Sequence, residues 1–340
     1  MDIQLLEKLC LAIGISGEED HVRRIIIDEI RDFADIELTN LGDIIARKKG
    51  EKKPEKTLML AAHMDEVGLV VTEITEDGYI KFGSVGGIDS GVLLGKSVYV
   101  NGKIKGLIGG KPVHLMHGDE FEKTMPMDKL TVDIGAENRE EAEKYAAVGD
   151  NIHFEPYFYC DGSTVFGKAL DDRVGCLLLI EMIKSKLPYD MTFVFTTREE
   201  IGSIGAKVAS GIVQPDLAIA VEGTVAGDVL GAKGAKACTQ LLKGPALSIK
   251  DKGTVYDKAF YKLAFKLAGE IGVPCQPRTS QAGSNDASQM HIAGRGARAA
   301  ALSIPCRYIH SPLSIAKVGD IEAGMKLLPL LAQAMIEAAV

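Results

Sequence analysis

Four short runs in this chain are apolar at nearly every position instead of every second one. Residues 57–62 read TLMLAA, 191–197 MTFVFTT, 216–221 DLAIAV and 297–304 ARAAALSI. Such runs suit parallel strands covered on both faces. Around them the apolar period lengthens to that of a helix. Residues 2–13 place Ile3, Leu6, Cys10 and Ile13 on one face, and residues 256–271 do the same with Phe260, Leu263, Leu267 and Ile271. Further helices are predicted over 172–187, 201–210 and 319–340. Ser16 and Glu19 have the spacing of a capping box, opening a helix through Phe33. Asp320 reads as the cap of the last helix, and Pro329 predicts a kink or early break in it. Residues 36–39 and 44–47 flank Asn40-Leu41-Gly42, a hairpin pattern.

Between residues 67 and 163 the pattern changes to short alternating strands broken by Gly and Asp. Asn101-Gly102 between β-rich flanks predicts a type I′ hairpin. A strand over 130–135 and a short helix over 139–147 follow. The expected organisation is therefore an α/β domain of residues 1–67 and 164–340, interrupted at 68–163 by a small β-rich domain of domain-like length. Its sheet is expected to be mixed, largely parallel and covered by helices on both faces.

Composition narrows the partners more than the fold. The chain has 340 residues and a formal net charge of −8, with no basic stripe. That argues against nucleic acid or an anionic membrane as partner. No apolar run approaches a membrane span, and the first residues lack the basic start of a signal peptide. The six cysteines are scattered without CxxC spacing, which fits free thiols in a reducing cytoplasm.

Each buried run ends in residues able to bind a metal. TLMLAA leads into His63-Met64-Asp65-Glu66, MTFVFTT into Glu199 and Glu200, and DLAIAV into Glu222. The segment after ARAAALSI reaches His310, and Asp171 and Asp172 lie in a turn that feeds a helix. In an open α/β sheet, ligands bind at the C-terminal strand ends. His63, Asp171, Glu200, Glu222 and His310 form a set of the size that two divalent ions need, one carboxylate bridging. Imidazole with carboxylate suits zinc, with cobalt or manganese as alternatives. Glu199 is then left free as a general base beside a metal-bound water. Asp65 is placed to hold the second nitrogen of His63. Taken singly, each residue also has a plain reading: His63 as a core histidine, Asp171 and Asp172 as caps, Glu222 as a turn residue and His310 as a loop residue. His21, His114, His117, His153 and His291 carry no such pattern; the His114/His117 pair sits in the β-rich segment without accompanying acids.

HMDEVG (63–68), ALDDRVG (169–175), TTREEIG (196–202), VEGTVAGD (221–228), GSNDAS (283–288) and PCRYIHSP (305–312) resemble the glutamyl/deblocking aminopeptidases, in order and over nearly the whole chain. These are di-metal exopeptidases, many assembling into tetrahedral particles, some of them labelled cellulases or endoglucanases. The resemblance implies that Asp171 bridges the ions, with His63 and Glu222 completing one and Glu200 and His310 the other. It assigns Glu199 as general base, supported by Asp65. It implies removal of N-terminal residues from peptides by attack of a metal-activated water. It also implies an inserted PDZ-like domain used for dimerisation, with dimers building a dodecamer. Three positions depart from the pattern: Glu222 stands where Asp is usual, Arg198 where Gln is common, and Ser314 where Glu is common. Arg198, Lys233, Lys236 and Lys243 are candidates to favour an acidic substrate side chain. Paired carboxylates also occur in glycoside hydrolases, but this chain has no Trp and 6% aromatics for stacking sugars. A third reading is a metal-binding assembly protein without activity, which the Glu222 exchange permits.

Overall fold

The computed structural model describes residues 1–118, 122–232 and 237–338. Helices α1 (Ile3–Leu11) and α2 (Asp20–Ile30) lead into strands β1 (Asp35–Leu38), β2 (Ile44–Lys48) and β3 (Leu58–His63). The chain then leaves for β4 (Gly68–Ile74), β5 (Ile80–Val85), β6 (Ser97–Val100), β7 (Ile104–Gly109), β8 (Thr131–Asp133), the short α3 (Arg139–Ala142) and β9 (Asn151–Phe154). It returns through β10 (Phe158–Cys160), β11 (Thr164–Gly167), α4 (Leu170–Lys184), β12 (Met191–Thr196), α5 (Ile204–Val213) and β13 (Leu217–Val225). The final elements are β14 (Ala246–Ser248), α6 (Lys258–Glu270), β15 (Gln276–Arg278), α7 (Ala287–Met290), β16 (Arg298–Arg307), β17 (Ser314–Lys317) and α8 (Val318–Ala338).

Eleven strands make one mixed sheet, in the order β1-β2-β12-β3-β13-β16-β17-β11-β10, with β14 and β15 attached beside β16. Its four central strands, β12, β3, β13 and β16, are parallel. The flanks are antiparallel. The two faces bury different side chains because successive residues alternate across a strand. Leu58, Leu60, Phe193, Phe195, Leu217, Ile219, Leu302 and Ile304 face a thick layer built from α1, α2, α4, α6 and α8. Met59, Ala61, Val194, Ala218, Ala220, Ala299 and Ala301 face α5 and α7, which contribute Ala206, Ala209, Ala287 and Met290. Small residues on both sides let those two helices approach closely. The uninterrupted apolar runs thus reflect strands buried twice.

Strands β4-β5-β8-β7-β6-β9 close a separate barrel. Leu69, Val71, Ile80, Val98, Val100, Ile108, Val132 and Ile152 fill it. Asn101 and Gly102 have φ of 50° and 65°, as a type I′ turn requires, and the Lys103 amide donates to the Val100 carbonyl at 3.0 Å. Among the described residues, no helix is long and apolar enough to cross a membrane.

Two caps expected from local spacing fail because distant partners take the residues involved. Ser16 Oγ donates to Asp65 Oδ2 at 2.6 Å. Glu19 Oε1 accepts from the Gly17 and Arg198 amides, so α2 opens without a capping box. Asp320 caps nothing in α8; its carboxylate accepts the Leu242 and Gly244 amides and pins that loop to the helix. Nor does α8 stop at Pro329: it runs on to Ala338. Leu327, Leu328, Leu331, Ala332, Met335 and Ile336 are all buried around the proline. That packing outweighs a penalty of about 3 kcal/mol for an interior proline.

Candidate active site

The parallel register brings the predicted residues into one row. Thr196 of β12 pairs with His63 of β3, so Glu199 and Glu200 follow directly beside the end of β3. Glu222 of β13 pairs with Ser303 of β16, and Ser303 Oγ donates to Glu222 Oε1 at 3.0 Å. Asp171 comes from the opening of α4, where Ala169 adopts a left-handed φ of 54° and Asp171 and Asp172 have non-helical torsions. Asp172 ties that turn down. Its Oδ1 accepts the Gly175 amide at 2.9 Å and its Oδ2 the His63 amide at 3.2 Å, so one carboxylate caps α4 and anchors the end of β3. Gly223 lets Asp171 approach β13: a Cβ there would lie 2.8 Å from Asp171 Oδ1.

Asp171 faces both histidines. Its Oδ1 lies 3.3 Å from His63 Nε2 and its Oδ2 lies 3.8 Å from His310 Nε2. His310 Nε2 is also 3.3 Å from Glu200 Oε2. One ligand atom from each of His63, Asp171 and Glu200 lies within 4.8 Å of the others, a group able to hold a metal ion. Glu222 lines the same cavity but stands outside that group, held by Asn285 Nδ2 at 2.6 Å as well as by Ser303. Asp65 meets His63 Nδ1 with both its carbonyl and its carboxylate. The His63 Nδ1 proton goes to the Asp65 backbone carbonyl at 3.0 Å, whereas the carboxylate sits 3.6 Å away. That carboxylate also accepts the Glu199 amide at 2.9 Å, the Glu200 amide at 3.1 Å and the Ser16 hydroxyl. Asp65 therefore fixes the Glu199-Glu200 turn and His63 together, because side chain and carbonyl point to different neighbours.

The charges in this site do not balance on their own. Burial, and after it Asp171, pushes Glu200 up to about 7. Burial and Asp171 also push Glu222 up to about 7. Burial first, then the carboxylates of Asp286, Glu200 and Asp65, hold Glu199 well above the usual range against the pull of His63. Asp286 is driven to about 6, chiefly by burial, and its Oδ1 has no hydrogen-bond partner. Burial would pull His63 down, but Asp171 and Asp65 keep its imidazole well above the histidine norm. Buried carboxylates in such excess resist ionisation unless a cation joins them. The donors are imidazole nitrogens and carboxylate oxygens, which fit a borderline divalent ion.

The row opens into a cleft of about 480 Å³. His63, Asp171, Glu199, Glu200, Glu222 and His310 all line it. Sequence reasoning missed Arg278, the one Lys or Arg among the described lining residues. Its guanidinium is held by Thr224 Oγ1 and the Ser280 and Ala282 carbonyls, all neutral acceptors, which leaves it able to receive a carboxylate. Arg198 does not line the cleft; it sits at φ 56° and donates to the Leu41 carbonyl. Lys243 lines a different hollow, beside Pro274 and Gln276. Lys233 and Lys236 lie outside the described residues.

The sequence profile of the M42 glutamyl aminopeptidases matches residues 42–327. The chain belongs to the M42 glutamyl aminopeptidase family. Among solved structures, a TET aminopeptidase from the marine-sediment Thaumarchaeota archaeon SCGC AB-539-E09 matches with a TM-score of 0.93 at 31% identity. The match covers 99% of this chain and 98% of that one. The Pyrococcus horikoshii TET1 peptidase, described as assembling into a tetrahedron or a large octahedral shell, matches with a TM-score of 0.84 at 33% identity, over 97% and 98%. A Thermotoga maritima protein named as an endoglucanase matches with a TM-score of 0.81 at 34% identity, over 98% and 99%. M42 membership supports aminopeptidase activity, and so a hydrolase.

Proposed function

We propose that this M42 chain is a dinuclear metallo-aminopeptidase that removes N-terminal residues from peptides. The observation that carries the reading is Asp171, whose two oxygens face His63 and His310 separately, the stance of a bridging carboxylate. His63 and Glu222 would hold one ion, and Glu200 and His310 the other. Zinc suits this donor set best, with cobalt or manganese as alternatives. Bound ions supply Lewis acidity toward the scissile carbonyl and ease the ionisation of water.

Glu199 is the general base. Ser203 Oγ donates to its Oε1 at 3.2 Å, and among the described residues nothing donates to Oε2, which is left for a proton. Burial raises its proton affinity, so it can take the proton of the attacking water and return it to the leaving amine. Asp65 holds the Glu199 and Glu200 amides and so sets where the base points. Glu199→Gln should keep the metal content of the wild type and lose about a hundred- to ten-thousand-fold in kcat on aminoacyl substrates. Retained activity would remove Glu199 from this role. Chelation should abolish the activity, and zinc or cobalt should restore it. Release of reducing sugar that survives chelation would favour the endoglucanase reading instead.

We further propose a homo-oligomer in which the inserted barrel serves dimerisation and dimers build a dodecamer. The support is the TET assemblies of similar chains. Light scattering on the purified protein tests it, and a monomer would end it. All six cysteines are unpaired, which suits a reducing cytoplasm.

A further inference from the structure

The barrel does more than attach to the α/β domain: one of its loops reaches the site. After β5 the chain passes Gly86 and Gly87, and the Gly87 carbonyl lies 2.9 Å from His310 Nδ1. Gly86 has a φ of +83°, and a Cβ on it would meet Val67 Cγ1 at 2.8 Å and Glu200 Cβ at 3.2 Å. The loop thus packs against His310 and Glu200, the two residues assigned to one ion.

The two histidines are held unequally. His63 has 5% of its side chain exposed, and its Nδ1 is held by a carbonyl two residues along its own strand end. His310 has 38% exposed, lies in a turn at φ 58°, and finds its Nδ1 partner only across the domain boundary. A carbonyl can only accept, so Nδ1 carries the proton and Nε2 keeps its lone pair. That lone pair faces Glu200 and Asp171. Outer partners of this kind fix a ligating imidazole's tautomer and orientation. We infer that the barrel loop completes the second metal subsite, with the Gly87 carbonyl as the positioning group for His310. The ion on the His310 side is then the weaker bound, and its affinity depends on where the barrel sits. This inference rests on the dinuclear reading above.

The direct test is an amide-to-ester exchange, placing the α-hydroxy analogue of isoleucine at position 88 of the full chain. The ester weakens the Gly87 carbonyl as an acceptor and alters no side chain. Among the described residues no acceptor takes the Ile88 amide, so nothing else is lost. Cobalt binding is followed by equilibrium dialysis and absorption. The first equivalent should bind as in the wild type, and the second about tenfold more weakly. Two unchanged binding steps would overturn the inference. A wild type that takes up no second equivalent would instead overturn the dinuclear reading, and this inference with it.

Thermal unfolding of the ester variant, followed by circular dichroism, guards against misfolding. A second equivalent that weakens while the first equivalent and the melting curve stay as in the wild type supports the inference. Both equivalents weakening together would count against a role confined to the His310 side.

Discussion

Gly223 shows how much of this site depends on an atom that is missing. Alanine there would put a Cβ within 2.9 Å of the Asp171 Cα and Cβ and 2.8 Å of its Oδ1. Neither backbone can yield easily, so Asp171 should be forced off β13. Gly223→Ala should cost about 1–3 kcal/mol of stability, the usual range for overpacking, and lower the metal content. Gly211 gives the opposite case: it lies inside α5, with nothing within 4 Å of where a Cβ would go. Gly211→Ala should stabilise by about 0.5–1 kcal/mol, with metal content unchanged. Thermal unfolding and metal analysis of the two variants check both signs. The residues legible in the sequence were those delivered at or shortly beyond the end of a buried strand: His63, Glu199, Glu200, Glu222 and His310. Asn285, Arg278 and Gly223 were not, because their roles are contacts between loops and strands far apart in the chain. The turn at Asp171 and Asp172 was visible as an acid pair, but not the division of labour by which Asp172 anchors while Asp171 faces the histidines.

At the scale of elements, the strand ends stay in line because a buried charged cluster joins them. Glu66, just past β3, is met by Lys168 Nζ at 2.5 and 2.6 Å and by Arg173 Nη2 at 3.3 Å. Lys168 also donates to the Ala12 carbonyl, and Arg173 to the Leu9 and Ala12 carbonyls, which brings the end of α1 into the cluster. Burial opposes ionisation of Glu66, yet Lys168 and Arg173 prevail and hold its carboxyl below the usual range. Glu66→Gln would strand two buried cations, at a cost of about 3–5 kcal/mol. The sign with pH follows from the lowered value. The unfolded chain takes up the proton first as the solution is acidified, so the Glu66 contribution is complete above about pH 4.3, the ordinary glutamate value, and is lost as pH falls through the folded value. Denaturant unfolding should therefore show a gap between wild type and Glu66→Gln that is constant near neutrality and closes in acid. A gap that widened in acid would reverse the assigned shift. None of this cluster could be read from the sequence. Apolar period and length located the helices and the twice-buried strands, but Ser16, Glu19, Glu66 and Asp320 each bond to a partner outside their own element. Local spacing therefore misassigned the caps and gave no hint of the cluster.

For the whole molecule, the sequence revealed where the chain changes character but not that the inserted barrel touches the site, since the contact is a glycine carbonyl with no side chain to signal it. The largest consequence at this scale concerns stability. The folded protein gathers Asp171, Glu199, Glu200, Glu222 and Asp286 in one region, with burial pushing four of the five toward the neutral acid. The unfolded chain separates them and solvates each. Folding without a cation thus concentrates charge at a cost, and a divalent ion that binds only the folded state offsets it. Linkage gives the size: at a free ion concentration a hundred times Kd, the folded state gains about 2.7 kcal/mol per ion. For a domain of this size, that corresponds to a rise in Tm of several degrees, at roughly 2–4 °C per kcal/mol. Scanning calorimetry with zinc and then with a chelator should show the difference in the wild type. In Asp171→Asn the bridging charge is gone, so zinc should raise Tm by far less, while the chelated forms should lie close together. A zinc-dependent rise as large in Asp171→Asn as in the wild type would mean that the stabilising ion binds elsewhere on the molecule, and the strand-end row would lose its claim to be a metal centre.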